Sequence, residues 1–424
     1  MKAGFAETNI SPEYFPIRTY FAAADGITDP IFAHAAVFSD GEVTLAFLSL
    51  NVVIVEREYV QQIRERIRQL RQIPEANIMV CATHNHACPA VVERPGSEKN
   101  ERYLEFMIER GAEAVVKAFD AMTPVEIGVG SGYEGRISFN RRFIKKNGSV
   151  VSQPHITTTT NDIRCCEGVI DPEVGVLCVR GANHKIIGML VNFACHAVHL
   201  MGQISGGYPG VLSNKLKEAY GRDCVCVFLN GACGNVIHRN YSDPNQNDTK
   251  EAAGGILADD VRQIIEGLAF SSSLRLAARS AVIHIKYRDI SGLEKNIDNM
   301  RQFNVFETLI TKGWYKWSLE KLKALHAVSD GEEAEIQVFK IGDTFFGAVP
   351  AEYFAEHALR IKEQSSAEKT LVVSLANGWL GYLPHKAAFD RIGGHESTWI
   401  MGSKMEPAAG DLIADKIIEI IKGG

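Results

Sequence analysis

The residues best suited to chemistry are histidines that follow apolar, strand-like segments. His84 and His86 form an HxH pair directly after ANIMVCAT at 76–83, and alternate residues of an extended chain share one side. Such a pair is a familiar zinc-chelating pattern, although it can also simply close a strand. His196 follows a second apolar segment in NFACHAVHL, and His199 would share a helical face with it if a helix begins there. Two such strand ends favour a metal site.

Two further strand ends offer oxygen atoms. A catalytic zinc ion combines imidazoles with a carboxylate or similar oxygen and keeps one position for water. Glu352 in AVPAEYF follows a predicted strand, where it could bind metal or only stabilise the start of a helix. Tyr382 follows TLVVSLA at 370–376 after a turn that contains glycine. These side chains could converge with the histidines only if the strands end at the same place.

Strands and helices alternate around these motifs. Two βαβ units are predicted, each with a buried parallel strand pair and an amphipathic helix between the strands. Their segments are 42–55, 56–72 and 76–83 in the first unit, and 185–195, 209–220 and 224–229 in the second. In the first helix, Val60, Ile63, Ile67 and Leu70 form the apolar stripe.

The rest of the chain continues this alternation. Helices are predicted at 101–120, 248–268, 351–363 and 406–422 and through most of 292–328. Strands are predicted at 124–130, 272–287 and 370–376, and a hairpin at 335–350 that turns at Gly342-Asp343. A long polar loop is predicted at 131–168. No repeat or linker divides the chain. We therefore expect one α/β domain over 1–424, with a mixed sheet core, βαβ units, packed helices and a metal site at strand ends.

Composition narrows the choice of partners. The 424 residues are 46% hydrophobic and 23% charged, with a net charge of −6, which gives no electrostatic reason to expect nucleic acid or an anionic membrane. The nine cysteines, including Cys224 and Cys226 in DCVCVFL, are predicted to be reduced core thiols. The N-terminus has no apolar signal-type region, so a cytoplasmic location is expected. A small-molecule substrate is expected, and a homo-oligomer is left open.

Six motifs occur together in a recognisable order: ATHNHACP, NFACHAVHL, GGYPG, FLNGACGN, AVPAEYF and LANGWLGYLP. In this order the chain resembles the neutral/alkaline ceramidase superfamily, in its catalytic domain, from AGFAETNISP near the start to GGHEST near the end. The resemblance implies a Zn²⁺ ion held by four residues, His84, His196, Glu352 and Tyr382. It also implies that His86 contacts water and the scissile group and moves a proton, which a side chain titrating near neutrality can do.

The resemblance further places an arginine beside the site, within ISFNRRF. Arg141 or Arg142 could bind a substrate oxygen or carboxylate through its planar guanidinium, or the two could be a surface charge pair.

Departures from the superfamily pattern bear on the substrate. This chain has NHACP where ceramidases have THSGP, Gly234-Asn235-Val236-Ile237 in place of a glycine-aspartate-serine-proline stretch, and Asn51 in place of a strand aspartate. No C-terminal immunoglobulin-like domain is expected, and the polar segment 145–167 predicts a polar pocket. We expect a zinc amidohydrolase acting on a small polar amide rather than ceramide. An esterase or lactonase, a sugar lyase or isomerase, and a non-catalytic binding protein are the alternatives.

Overall fold

A computed structural model describes residues 1–154, 162–243, 245–293, 313–399 and 402–423. Within these ranges, α-helices form where apolar residues recur at helical spacing. They are α1 (Arg57–Leu70), α2 (Glu101–Asp120), α3 (Gly207–Tyr220), α4 (Lys250–Glu266), α5 (Trp314–Val328), α6 (Ala355–Gln364) and α7 (Ala409–Lys422).

Strands occupy most of the remaining regular structure. They are β1 (Lys2–Asn9), β2 (Ile17–Arg18), β3 (Ala23–Ala24), β4 (Phe32–Ser39), β5 (Thr44–Leu50), β6 (Ile78–Ala82), β7 (Thr123–Tyr133), β8 (Phe139–Asn140), β9 (Arg142–Lys145), β10 (Val150–Ser152), β11 (Ile163–Cys166), β12 (Glu173–Gly181), β13 (Ile186–Phe193), β14 (Val225–Asn230), β15 (Val236–Ile237), β16 (Phe270–Ser271), β17 (Leu276–Lys286), β18 (Gly331–Ile341), β19 (Thr344–Val349), β20 (Glu352–Tyr353), β21 (Lys369–Ser374) and β22 (Tyr382–Leu383).

The largest sheet is mixed. Its strand order is β14-β13-β12-β7-β1-β4-β5-β6, with β16 added beside β7. The pairs β5/β6 and β13/β14 are parallel and the other pairs are antiparallel. Both predicted βαβ units are thus confirmed, with α1 and α3 as their crossover helices. The hydroxyl of Ser49 in β5 donates to the carbonyl of Phe228 in β14, so the sheet curls and its two ends meet.

A second sheet packs against the first. Its order is β17-β18-β19-β21, and β18 and β19 form the predicted hairpin with Gly342 in the turn. Phe47 of the first sheet meets Phe339 and Phe346 of the second edge to face, each at 5.2 Å between ring centroids. Such apolar and aromatic pairs account for the packing of the two sheets. The expected fold class, α/β with a mixed sheet, is confirmed.

Helix α1 shows how far the apolar stripe determines the packing. Val60, Ile63 and Ile67 are buried as predicted, whereas Leu70 at the last position is 56% exposed. The prediction for Leu70 is wrong because the helix ends there, beyond the underlying core. Arg64 lies on the buried side instead and forms an ion pair with Glu335 of β18 at 2.7 Å, which ties the helix to the second sheet.

Several boundaries differ from the predictions. The stretch predicted as one long loop at 131–168 contains β8 and the small sheet β10-β9-β11, while residues 155–161 lie outside the described part. The helix predicted from 351 begins at Ala355, because the chain first forms the short strand β20. Of the helix predicted over 292–328, the structure describes α5, and 294–312 lie outside the described residues.

The nine cysteines form no disulfide, and seven of them are buried, including Cys224 and Cys226. Cys165 and Cys166 are exposed in β11, so for these two the prediction of core thiols is wrong. No described helix combines the length and apolar composition that a bilayer crossing requires.

Candidate metal centre

Two loops carry histidines to the place where the ends of the large sheet meet. His84 follows β6 with a φ of 63°, a left-handed conformation that non-glycine residues seldom adopt outside functional sites. His196 follows β13 and is 1% exposed. The amide nitrogen of His86 donates to the carbonyl of Ala197 at 3.0 Å, so the loops are bonded directly to each other.

Asn230 at the end of β14 fixes both loops. Its side-chain amide donates to the carbonyls of Thr83 and Cys195, each at 3.0 Å. These are the residues immediately before His84 and His196, so one buried amide sets the spacing of the two imidazoles. The signal in the sequence was a polar residue closing the apolar strand VCVFLN, which we did not assign to the site.

Glu352 and Tyr382 reach the same place through a register pair. They lie opposite each other in the parallel strands β20 and β22. Gly234 packs against the first of these strands, and a Cβ there would lie 2.5 Å from the carbonyl oxygen of Glu352. Glycine is therefore required in the GNVI stretch, because any side chain would push the strand away.

The side chains brought together are close enough to share one ion. Nε2 of His84 lies 2.7 Å from Nε2 of His196, and Oε2 of Glu352 lies 3.2 Å from the first and 3.5 Å from the second. The hydroxyl of Tyr382 is 3.5 Å from Nε2 of His196. All four predicted ligand side chains therefore converge, and all are buried.

The hydrogen bonds of the two imidazoles suit a cation. Nδ1 of His84 faces the carbonyl of Val53 at 2.8 Å, and Nδ1 of His196 faces the carbonyl of Cys233 at 2.7 Å. A carbonyl only accepts, so each Nδ1 carries its proton and each Nε2 lone pair is aimed at the other. The two nitrogens can share one proton or one cation. Oε2 of Glu352 is buried at the same point without a hydrogen-bond partner among the described residues, and this donor set fits zinc.

The local charges support this fit. Burial, helped by the nearby Arg141, lowers the pKa of His196 well below its usual value, so its imidazole is neutral and able to bind metal at pH 7. Burial raises the pKa of Tyr382 well above 10, and the carboxylate of Glu352 adds to that effect. Before any cation binds, Tyr382 is thus a neutral phenol.

His86 faces the same centre from one side. Its Nε2 lies 3.4 Å from Nε2 of His84, its Nδ1 is buried without a partner in the described part of the chain, and its ring packs against Tyr20 at 5.1 Å. Burial, with His84 next in effect, lowers its pKa well below the usual value. His84, His86 and His196 together form a three-histidine group able to hold a metal, so geometry alone permits His86 to be a ligand or a neighbour of the ion.

The two arginines have different surroundings, and neither is at the surface. Arg141 donates through Nη2 to the hydroxyl of Tyr382 at 3.2 Å and to the carbonyl of Gly234. Arg142 forms ion pairs with Glu396 and Glu167. The reading as a surface charge pair is wrong, because both side chains are at most 1% exposed. Arg141 borders the candidate metal centre and pairs with Glu396 as well, while Arg142 pairs with two carboxylates.

His199 does not join the group. No helix begins at His196, and α3 starts only at Gly207. His199 turns away, stacks on His238 at 3.7 Å between centroids and contacts the carbonyl of Asp248 through Nε2. The shared helical face predicted for it is therefore wrong.

Two aromatic residues beside the centre were not predicted. The indole Nε1 of Trp379 donates to Oε1 of Glu352 at 3.1 Å, and Tyr20 packs on His86. Trp379 lies within the LANGWLGYLP motif, three residues before Tyr382, so its position was accessible from the sequence. Tyr20 carried no such signal.

A cavity of about 270 Å³ opens beside these two aromatic residues. Its wall includes Trp314, Trp317 and Leu322 as well as charged side chains. Aromatic rings from distant segments supply much of this wall. No described residue of 145–167 contributes to it, so the predicted polar pocket stays a prediction. A cavity of about 910 Å³ shares Arg94, Lys99 and Trp317 with it, so the size of the ligand stays a prediction.

Comparison with known proteins identifies the fold of this chain through solved structures. No protein-family model and no curated protein sequence matches the chain. Among solved structures, the neutral ceramidase from Pseudomonas aeruginosa superposes with a TM-score of 0.73 at 16% identity, covering 99% of this chain and 74% of that one. A ceramidase complexed with C2 gives a TM-score of 0.73 at 15% identity with the same coverage. The chain therefore has a neutral ceramidase-like fold, as the six motifs predicted. Beside this fold, the buried histidines His84, His86 and His196 form a group that could hold a metal ion.

Proposed function

We propose that the chain is a zinc-dependent amidohydrolase that acts on a small acyl compound, with His84, His196, Glu352 and Tyr382 holding the ion. The proposal rests on three atoms that meet at one buried point. They are the Nε2 atoms of His84 and His196, which carry lone pairs, and Oε2 of Glu352, which has no hydrogen-bond partner among the described residues. A zinc ion there would acidify a bound water molecule and polarise the acyl carbonyl. We also propose that residues 1–424 act as one catalytic unit, located in the cytoplasm, where unpaired thiols persist.

The surrounding residues have separate tasks in this proposal. His86, neutral at pH 7, accepts a proton from the attacking water and returns one to the leaving nitrogen. Arg141 keeps the Tyr382 hydroxyl oriented towards the centre through its hydrogen bond, and its charge favours negative character on the acyl oxygen during attack. Arg142 holds the loop that carries Arg141 through Glu167 and Glu396.

Ceramide is not the proposed physiological substrate. The neighbouring structures are named as ceramidases, but a fold likeness at 16% identity does not transfer a substrate. Each buried methylene contributes only about 0.8 kcal/mol, so a long acyl chain needs an extended apolar trough. The wall of the cavity beside this centre carries charged side chains, among them Arg94, Lys99 and Lys321, which favours a ligand with polar groups.

The test combines metal content with a substrate comparison. Purified protein should contain about one zinc per chain by mass spectrometry, and short N-acyl amides should be cleaved with a higher kcat/KM than a long-chain ceramide. Simple lactones are assayed in parallel, and a clear preference for them would transfer the proposal to an ester bond. Absence of bound metal after growth with zinc, or a tenfold preference for ceramide, would contradict the corresponding part.

A further inference from the structure

All four tryptophans of the chain line the cavity beside the metal centre. Trp314 and Trp317 come from α5, Trp379 precedes β22, and Trp399 follows the GGHEST segment. Four indoles in one small cavity, drawn from three distant parts of the chain, form a surface for a flat or apolar group.

Two side chains in the wall of the cavity also contact residues of the candidate metal centre. Tyr20 lines the cavity and packs on the ring of His86 at 5.1 Å. Trp379 lines it as well and donates to the carboxylate of Glu352 at 3.1 Å. A molecule in the cavity therefore touches Tyr20 and Trp379, the residues that contact His86 and Glu352.

Arg94 lines this cavity, and among the described residues no carboxylate forms an ion pair with it. Its side chain lies against the ring of Tyr20, with Cζ 5.1 Å from the centroid of Phe21 and 4.9 Å from that of Trp314. It is 8% exposed, and its guanidinium donates one hydrogen bond, to the carbonyl of Tyr20. Burial lowers its pKa to about 10, so it stays charged at pH 7.

The other cations at the cavity are already neutralised. Lys99 pairs with Glu56, Lys321 with Glu93, and Lys404 with Glu332, at 2.5–2.7 Å. Arg94 differs from these lysines because its buried charge has no oppositely charged partner among the described residues, which costs free energy. A ligand with a carboxylate would supply that partner, and the charge-assisted hydrogen bonds would add to its affinity.

A second donor in the same wall lacks an acceptor. The indole Nε1 of Trp399 is buried, with the residue 3% exposed, and has no hydrogen-bond partner in the described part of the chain. Trp399 thus lacks an acceptor and Arg94 has only a backbone carbonyl, on a wall whose other cations are held in ion pairs among the described residues.

We propose that Arg94 is a specificity-determining residue that binds a carboxylate on the substrate, while the tryptophans hold a flat apolar group of the same molecule. The substrate class is then an N-acyl compound with a free carboxylate, such as an N-acylated aromatic amino acid. Its hydrolysis adds one water across the C–N bond and yields a carboxylic acid and an amine. The reaction rests on the proposed function, whereas recognition of the carboxylate by Arg94 does not.

Recognition can be tested without turnover, because every tryptophan of the protein reports on this cavity. The probes are phenylacetate and its neutral counterpart phenylacetamide, titrated against intrinsic fluorescence of the full chain. Both metal-replete and EDTA-treated protein are used, so that a carboxylate bound to the metal is distinguished from one bound to Arg94. Phenylacetate should bind at least about tenfold more tightly than phenylacetamide in both preparations, as a charged hydrogen bond predicts.

The variants are Arg94→Gln, Arg94→Lys and, as the matched control, Lys321→Gln at the same cavity. Arg94→Gln should lose the tenfold preference, Arg94→Lys should keep part of it, and Lys321→Gln should keep all of it. Circular dichroism checks that each variant is folded. Equal binding of the two probes to the unmodified protein, no binding of either, or an unchanged preference in Arg94→Gln would overturn the assignment.

Turnover separates this assignment from the proposed function. N-acetylphenylalanine and N-acetylphenethylamine differ only by the carboxylate, and release of free amine is measured for both. A preference for the first that Arg94→Gln removes is the expected result. If neither is cleaved while phenylacetate still binds through Arg94, the amidohydrolase proposal fails and the carboxylate site stands.

Discussion

At the metal centre, each histidine is defined by what its second ring nitrogen contacts. Backbone carbonyls of Val53 and Cys233 occupy Nδ1 of His84 and His196 and leave Nε2 free for the shared point. Within the described ranges, His86 has no such acceptor at Nδ1. A ring held by a carbonyl is a better metal ligand, because its tautomer and orientation are fixed. The proposed division, with metal binding by the first two and proton transfer by the third, rests on this difference.

The first prediction tests that division. His84→Ala should lose both zinc and activity. His86→Ala should keep about one zinc per chain but lose roughly 10²–10⁴-fold in kcat, which is the usual contribution of general acid–base catalysis. Zinc is measured by mass spectrometry and rates with p-nitrophenyl acetate. His199→Gln is the control, since that histidine lies in the same motif but turns away from the centre. Equal zinc loss in the His84 and His86 variants would make His86 a ligand.

The second prediction concerns the Tyr382 hydroxyl, which lies between Arg141 and His196 at 3.2 and 3.5 Å. Tyr382→Phe removes one oriented group at the reacting centre and should lower kcat by about 10²-fold, with a smaller effect on KM. Tyr353→Phe is the matched control, because its buried hydroxyl donates to the carbonyl of Gly410 instead. Similar rates for Tyr382→Phe and the unmodified protein would remove the hydroxyl from the mechanism.

At the scale of elements, the buried arginine network connects β9 to the segment that carries Glu396. The carboxylate of Glu396 faces both Arg141 and Arg142, and burial is outweighed by the charges of His395 and these arginines, which hold its pKa far below the usual range. Glu396→Gln keeps the shape but leaves two buried cations short of a partner. We expect a loss of about 3 kcal/mol in the free energy of unfolding, measured by urea denaturation. A loss below about 1 kcal/mol would show that Glu167 alone suffices.

A second prediction at this scale concerns Glu7, through which β1 is joined to β4 and α3. Burial alone would raise the pKa of Glu7, but His34 and Lys217 outweigh it and lower the pKa from 4.5 to about 2. Because the folded value is the lower one, the stabilisation is present above pH 4.5 and disappears as the pH falls towards 2.

Glu7→Gln should therefore cost about 1 kcal/mol at pH 7, after allowance for solvent screening, and almost nothing near pH 2. Urea denaturation at several pH values measures the difference. Glu218→Gln, which removes an exposed ion pair with Lys215 on α3, should show no such dependence. A constant difference between pH 7 and pH 2 would contradict the assigned cause.

The elements also show what the sequence could predict. Both βαβ units and the hairpin at Gly342 follow from apolar periodicity and turn residues, which are local signals. The set of four proposed ligands came instead from the resemblance that the six motifs carry. The stacking of His199 on His238 does not, because it depends on a loop that only the tertiary fold defines. The tryptophan-lined cavity was missed for the same reason: Trp314, Trp379 and Trp399 lie too far apart in sequence for any pattern to join them.

At the scale of the whole molecule, the candidate metal centre lies where the two sheets meet. His84 and His196 come from opposite ends of the curled large sheet, and Glu352 and Tyr382 come from the segments that follow the strands of the second sheet. An ion bound there would bridge parts of the chain that are otherwise joined by core packing. Its binding should therefore stabilise the native state and not the unfolded one.

The final prediction is that chelation lowers the thermal stability of the full chain. Mass action gives a stabilisation of about 2.7 kcal/mol when free zinc is 100-fold above its Kd, because the unfolded chain does not preserve the site. EDTA treatment should lower Tm by several degrees, and added zinc should restore it in a concentration-dependent way. Differential scanning fluorimetry provides the measurement. In His84→Ala the response to zinc should vanish, whereas in His199→Gln it should persist. If removal of measured zinc leaves Tm unchanged, the ion does not bridge the two sheets, even if it still supports turnover.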